Sequence, residues 1–465
     1  MARQYEMDMC SGSVLKKLLI FTLPLMASGV LQLLFNAADI IVVGRFAGDN
    51  SLAAVGSNTA LINLLTNLFV GLSVGVNVVA ARAHGAGDSE NLSHITHTAI
   101  TLSLFSGVLL AAVGLIFAPQ LLELMQTPES VLPLAVTYLR IYFAGMPVIM
   151  LYNFGAALLR SVGDTKRPLY FLIIAGVINV ILNLVFVILF RMDVAGVALA
   201  TVISESVSAV LVVRCLIHEQ GGIHLNIRKL HIDGKNLGEI LRVGIPAGFQ
   251  GVVFALSNVV IQSSINLFGD IVVAGNSAAA NIEGFIYIAM NSFYQAAISF
   301  TGQHVGARKF ERIPRILFCA QFCVVATGLI LGWAAFALGR PLLSIYTSTP
   351  AAIDAGIDRM SVISTTYFLC GIMDVMVGMM RGLGYSVLPM IVSLAGACGL
   401  RILWIATVFQ MEEYHNVFTV YVSYPITWIV TLLVHIICFT IVWHRLKKRE
   451  ADYFAQFSKK HKKAV

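Results

Sequence analysis

Stretches of 20 or more largely apolar residues recur along almost the whole chain, and no other feature limits its fold so severely. Each is long enough, at about 1.5 Å of helical rise per residue, to cross a hydrocarbon layer of about 30 Å. The pattern predicts twelve spans: 15–43, 52–81, 93–118, 132–157, 168–190, 194–217, 240–266, 272–302, 312–338, 355–380, 386–410 and 416–443. Twelve spans of about 22 residues leave about 200 positions for connections and tails, too scattered for a separate soluble domain. Charge falls on only 12% of the 465 residues while 58% are hydrophobic, half the charge of an average soluble domain. The predicted class is therefore an all-α integral membrane protein. A soluble enzyme and a nucleic-acid-binding module are excluded.

Lys and Arg number 31 against 24 Asp and Glu, an excess of +7. In a membrane protein this excess is a topology signal, because basic residues accumulate on the cytoplasmic side. With both termini placed inside, the inner loops, tails and inner helix ends hold 25 Lys and Arg; the outer loops hold Arg45, Arg191 and Arg340. Arg140 and Arg359 fall near outer helix ends, and Arg401 lies within a span. The basic run from Arg445 through Lys447, Lys448 and Arg449 to Lys459, Lys460, Lys462 and Lys463 suits a cytoplasmic tail against anionic headgroups. The first apolar segment is too long for a signal-peptide core and lacks a small-residue cleavage site, so it reads as the first span. Seven cysteines fall mostly inside apolar segments. Cys319 and Cys323 are four apart, but nothing completes a metal site, and all seven read as small buried hydrophobes.

The longest inner loop, 218–239, divides the chain into a six-helix lobe over 1–217 and another over 240–443, followed by a basic tail over 444–465. The halves resemble each other. Arg160, Gly163 and Pro168 recur as Arg381, Gly384 and Pro389, and Gly85-Ala86 as Gly306-Ala307, each shifted by 221; Pro24 recurs one residue out of step as Pro246. Six helices is an even number, so both halves start on the same side and the repeat is parallel. Two such lobes enclose a cleft that can face either side, an architecture suited to alternating access. Pro24 and Pro246 each remove a helix hydrogen bond and are candidate hinges in the first and seventh helices.

A carboxylate at mid-bilayer costs about 2.5–3.5 kcal/mol on insertion scales, so Asp39, Glu205, Glu283 and Asp374 each ask for a reason. Gln32, Asn36 and Asp39 share one face of helix 1; Asn179 and Asn183 are four apart on helix 5, as are Thr201 and Glu205 on helix 6. Counting rise per residue, Asp39, Asn183, Tyr138 and Thr201 all lie roughly 8–11 Å below the outer ends of their helices, with Glu205 one turn deeper. A carboxylate, two amide oxygens and a hydroxyl are hard oxygen ligands, suited to Na⁺. The same carboxylate serves equally well as a proton carrier.

The second lobe is not a copy. The position 221 beyond Asn179 is Leu400, next to Arg401, and a fixed cation there would repel Na⁺. Glu283, Tyr287, Met290 and Tyr294 form a stripe on helix 8, and Tyr367 precedes Asp374 by seven residues on helix 10 among Met373, Met376, Met379 and Met380. Carboxylates, aromatic faces and soft thioethers together suit a lipophilic organic cation. Pairing of Asp374 with Arg401 is an open alternative, as is ordinary packing of the Tyr and Met residues.

Taken together, Asn36-Ala-Ala-Asp39-Ile-Ile-Val-Val-Gly44 with Pro24 fifteen residues before Asp39, the Asn179, Asn183 and Thr201 spacing, and the repeated Arg160-Ser-Val-Gly163 loop resemble the multidrug and toxic compound extrusion (MATE) family over the whole chain. The resemblance is nearest to its bacterial drug-efflux branch. It implies twelve helices in two lobes and a secondary antiporter driven by Na⁺ or H⁺. It also implies a first-lobe cation site with a tyrosine on helix 4, for which Tyr138 is best spaced. One branch of the family adds an acid pair in the second lobe; Asp374 matches its helix 10 member, while Phe254 and Ala255 stand where the helix 7 member is expected. Glu283 is then a candidate substitute as substrate counter-charge.

The expected function is export of small organic cations through a bacterial cytoplasmic membrane by a monomer surrounded by lipid, without a cofactor. No phosphate-cradling loop is present and no room remains for a nucleotide domain, so ATP is not the expected driver, and the sparse charge leaves no nucleic-acid partner expected. The nearest rival is a lipid-linked saccharide flippase or other metabolite exporter of the same superfamily. Arg401 as the one deep arginine against four acids favours cationic cargo. An integral-membrane enzyme would need a catalytic cluster that His84, His94, His97, His218 and His224 do not form, and a passive channel would not need paired lobes around one ion layer.

Overall fold

The computed structural model describes residues 5–462. Among them every regular element is helical. The first lobe contains α1 (Val14–Phe46), α2 (Asp49–Gly85), α3 (Ser89–Leu124), α4 (Leu132–Ala144 and Met146–Ser161), α5 (Lys166–Leu189) and α6 (Asp193–His218). The second contains α7 (Gly234–Asn266), α8 (Asp270–Gly306), α9 (Ile313–Ala337), α10 (Pro350–Thr366 and Phe368–Gly382), α11 (Val387–Gln410) and α12 (Val417–Lys462). Ten of these are continuous spans by length and apolarity, and α4 and α10 complete the twelve as bent pairs.

Helix starts follow local chemistry. Ser13, Asp88 and Asp233 precede α1, α3 and α7, and each side chain accepts a hydrogen bond from a backbone N–H of the first turn, satisfying a donor that has no partner within the helix. Neither Pro24 nor Pro246 breaks its helix. The sharp bends lie in α4 at Gly145 (48°) and in α10 at Tyr367 (42°). At the first of these, Pro147 stands at the start of the second segment, where its missing N–H prevents an unbroken ladder. Two further expectations shift. The connection between lobes is shorter than 218–239, because α7 begins at Gly234. The basic tail is no separate segment, since α12 runs on as helix to Lys462; the side chains of Arg449, Lys459, Lys460 and Lys462, and all of Lys463, lie outside the described residues. The seven cysteines are unpaired, five of them buried.

Each lobe has its own apolar core. One is built on α2 to α6, with Val76, Leu139, Phe143 and Phe154 at its centre. The other is built on α8, α9 and α10, with Met290, Phe293, Phe300, Ile316 and Val375. Helix α1 joins both: Val14, Leu18 and Phe21 are buried in the second lobe's core, whereas Val42 and Val43 belong to the first. Pro24 therefore sits where α1 passes from one lobe to the other. The lobes meet most closely along α2 and α7, where glycines let the backbones touch: a Cβ at Gly71 would strike the backbone of Gly248, and one at Gly75 the carbonyl of Ile240. This seam lies at the end of the bundle that carries the start of α1 and the 219–233 connection, called here the connection end.

Candidate functional site

Three helices of the first lobe bring their polar faces to one point. Asp39 of α1 is buried, and its Oδ1 accepts a hydrogen bond from Asn183 Nδ2 of α5. Thr201 Oγ1 of α6 lies 3.5 Å from Asp39 Oδ2. Asn179 Oδ1 accepts from Asn183 Nδ2 at 3.1 Å, and Asn179 Nδ2 lies 3.4 Å from Thr201 Oγ1. The spacing of four that set Asn179 and Asn183 on one face of α5 thus closes a ring with the acid. Asn183 Oδ1 is the one buried polar atom of this ring without a partner, and a buried amide oxygen left unpaired is a ready ligand for a hard cation. No basic side chain forms an ion pair with Asp39 among the described residues.

The ring opens into a cavity of about 290 Å³ lined by residues of α1, α2, α4, α5 and α6. Gln32, Asn36 and Glu205 share this cavity with the ring; the Glu205 carboxylate accepts from Ser208 at 3.2 Å. Tyr142, not Tyr138, faces the cavity; Tyr138 is buried behind it, the two rings stacked at 6.1 Å. Asn63 and Thr66 of α2 and Asn153 of α4 also line the space. Sequence reasoning passed over these three, although an amide at either position in an otherwise apolar span was the available signal.

The second lobe uses its polar groups differently. Glu283 of α8 is held by Arg359 of α10, with Nη2 at 2.7 Å and Nε at 3.2 Å from Oε2. Ser364 Oγ lies 3.3 Å from Oε1, and Arg359 Nη1 donates to Asn276 Oδ1 at 2.7 Å. Both charged groups are buried. Glu283 is thus already neutralised in this conformation, and Arg401 is not the one deep arginine. Helical counting placed Arg359 near an outer end, but its long side chain reaches inward to the acid. Arg401 lies with its guanidinium 3.9 Å from the Tyr424 ring centroid and donates to Thr427 Oγ1 at 3.1 Å. It forms no ion pair with Asp374 among the described residues, and Arg381 instead donates to Tyr294 and Gln250. Asp374 is half-buried and makes no hydrogen bond or ion pair among the described residues.

The helix 8 stripe divides along its length. Tyr287 is exposed, and its ring stacks on Tyr367 at 6.4 Å, which stacks in turn on Trp428 at 5.4 Å. One and two turns on, Met290 is buried against the close approach of Gly328 and Gly371, and the Tyr294 hydroxyl accepts from Arg381. Met373, Met376, Met379 and Met380 are buried, Met379 accepting a contact from Thr301 Oγ1 at 3.1 Å. The methionines pack the lobe interior.

A family model, MatE, matches residues 24–185 and again 246–406, one copy to each lobe. The chain belongs to the MatE family. The two matched stretches begin at Pro24 and Pro246, the same repeat that the glycines and arginines mark. The chain is 28% identical to the probable multidrug resistance protein YoeA of Bacillus subtilis (strain 168), across 93% of this chain and 95% of that one. It is 26% identical to an FAD transporter of Shewanella oneidensis, across 74% and 77%. Its fold matches the outward-facing conformation of a multidrug resistance MATE family transporter with a TM-score of 0.88 at 23% identity, covering 94% of this chain and 97% of that one. The protein is a multi-pass membrane transporter of the MATE multidrug efflux family.

Proposed function

We propose that this transporter is a secondary antiporter that exports lipophilic organic cations in exchange for inward H⁺ or Na⁺. The observation that carries this reading is the first-lobe ring of Asp39, Asn179, Asn183 and Thr201, a buried acid without a basic partner, opening on a cavity. Asp39 holds the coupling ion, the amides and the hydroxyl complete its oxygen shell, and Glu205 supplies a second acid to the same cavity. Tyr142, with Tyr138 behind it, closes one wall. The cargo meets the exposed face of Tyr287, the Tyr367 ring and the Asp374 carboxylate in the second lobe.

Helix α1 links the two events. Its first half is packed in the second lobe, its outer half carries Asp39, and Pro24 lies between them. Occupancy of Asp39 that shifts the outer half against the fixed half changes how the lobes meet, and Pro246 gives α7 a matching weak point. The basic asymmetry puts both termini and the connection end on the cytoplasmic side of a bacterial inner membrane, with one chain as the transporting unit. Exchange of one monovalent cation for another moves no net charge, so the potential does no work and a tenfold ion gradient of about 1.4 kcal/mol supports about tenfold expulsion.

A second reading is favoured by one observation. Arg359, Arg381 and Arg401 are all buried in the second lobe against Glu283 and Asp374, a balance that suits an anionic metabolite, and an FAD transporter is among the relatives. Accumulation assays in efflux-deficient bacteria separate the two, comparing wild type with Asp39→Asn at matched membrane expression. Low accumulation of a fluorescent lipophilic cation, restored to the empty-cell level by Asp39→Asn, supports the first reading. Expulsion of an anionic dye with no effect on the cation would replace it with the second.

A further inference from the structure

Two repeated glycine motifs serve neither the ion ring nor the cargo face, and both lie at the connection end. There α2 and α8 cross. A Cβ at Gly85 would strike the carbonyl of Gln303, and one at Gly306 the carbonyl of Arg82. Arg82 and Gln303 are themselves 221 apart, so each glycine makes room for the partner of its own repeat.

The side chains of this pair continue the symmetry. Arg82 Nη2 of the first lobe donates to the carbonyl of Gly382 at 3.0 Å. Gln303 Nε2 of the second lobe donates to the carbonyl of Ser161 at 2.7 Å. Ser161 and Gly382 are again 221 apart, and they are the last residues of α4 and α10. The last carbonyls of a helix have no partner within it and carry the negative end of the helix dipole. Each lobe therefore caps a helix of the other. Just before the capping residues on α2 and α8, Asn77 and Ser299 exchange hydrogen bonds at 3.0 and 3.1 Å.

The second glycine motif shapes the sockets. Gly163 and Gly384 turn the chain after α4 and α10 with φ of +92° and +87°, a region that favours glycine. A Cβ at Gly384 would collide with the Arg82 guanidinium, and one at Gly163 with Met7. The segment before α1 thus fills the socket that an arginine fills in the other lobe. It then crosses the seam, with Met7 N donating to Val162 O at 3.3 Å, Met9 buried in the second lobe, and the Cys10 carbonyl accepting from Lys309 at 3.0 Å and Arg312 at 2.6 Å.

We propose that Arg82 and Gln303 are a pair of crossed helix caps that latch the two lobes at the connection end, and that both caps release whenever the transporter opens on that side. The proposal rests on the alternating-access reading above. Separation of the lobes exposes two helix ends at once, so the latch biases the resting protein toward the state open at the far end.

The test is a distance distribution between spectroscopic labels on the exposed residues Ser89 and Glu311, introduced as unnatural amino acids so that the native cysteines stay. In wild type one short distance dominates. In Arg82→Met/Gln303→Met, which keeps side-chain bulk and removes both donors, the longer-distance population rises about tenfold or more relative to the short one. Arg82→Lys, which keeps a cationic donor, restores most of the short distance; a merely bulky packing role would not depend on the donor. A folded double variant with the wild-type distribution overturns the latch, and if wild type lengthens its distance on ion addition in that case, the antiport reading still stands. If no ion condition lengthens the distance in either protein, the latch and the alternating-access reading both fall.

Discussion

The two lobes share a fold and a repeat yet treat buried charge in opposite ways. In the first, Asp39 accepts from the Asn183 amide and lies beside the Thr201 hydroxyl, with no basic partner among the described residues, and the group opens on a cavity. In the second, Glu283 is clamped by Arg359, and the Arg401 guanidinium lies over the Tyr424 ring with Trp428 further off. Position 221 beyond Asn179 is Leu400, so the amide of one lobe gives way to an apolar residue beside a fixed cation in the other. An acid without a built-in partner can gain and lose an ion; an acid with one holds helices together. The two lobes keep one repeated scaffold while their polar contents differ, an acid without a basic partner in one and a buried ion pair in the other.

Substitutions that treat the lobes alike sharpen or break this contrast. The largest effect belongs to Asp39→Asn, which brings ion-driven efflux to background in a proteoliposome assay while thermal unfolding stays at or above the wild-type temperature. Glu283→Gln does the reverse. It strands a buried guanidinium, costs about 3–5 kcal/mol of stability, and lowers the unfolding temperature in detergent. Glu283→Met/Arg359→Met, which removes the pair together, recovers most of that loss, and failure to recover would mark Glu283 as more than a bolt. Next in size, Asn179→Ala or Thr201→Ala removes one oxygen ligand, and the ion concentration for half-maximal efflux rises about tenfold, ~1.4 kcal/mol. Smallest is Arg401→Met, which loses cation–π contacts worth about 1–2 kcal/mol and leaves the ion concentration dependence where it was; a changed dependence would assign the second lobe a share in coupling.

Much of this contrast was legible in the sequence. Apolar segment length located all twelve spans, and helical spacing with depth counting gathered Asp39, Asn179, Asn183 and Thr201, since each lies on a helix that is not interrupted. What escaped depends on side-chain reach and on helices that are not straight. Arg359 counts as an outer-end residue, but its guanidinium extends along α10 to Glu283, 76 positions earlier in the chain. Tyr142, one turn beyond Tyr138 on the same segment of α4, takes the place on the cavity wall, because spacing along a helix leaves two such neighbours on one face indistinguishable. Pro147 marks the break at Gly145 in α4, whereas no proline stands at the bend in α10 at Tyr367. The methionines around Asp374 read as soft groups for an organic cation because composition shows what a helix carries and not which face its neighbours cover.

On the proposed function, one ion ring, in the first lobe, couples the transporter to its gradient. The most direct measurement imposes a Na⁺ gradient and a pH gradient separately on proteoliposomes containing wild type, Asp39→Asn, or Glu283→Met/Arg359→Met, and follows uptake of a fluorescent organic cation. One gradient should drive uptake in wild type and in the second-lobe double variant, and neither should drive it in Asp39→Asn. A response that survives Asp39→Asn, or one that vanishes in a folded second-lobe variant, would contradict the assignment of coupling to the first lobe.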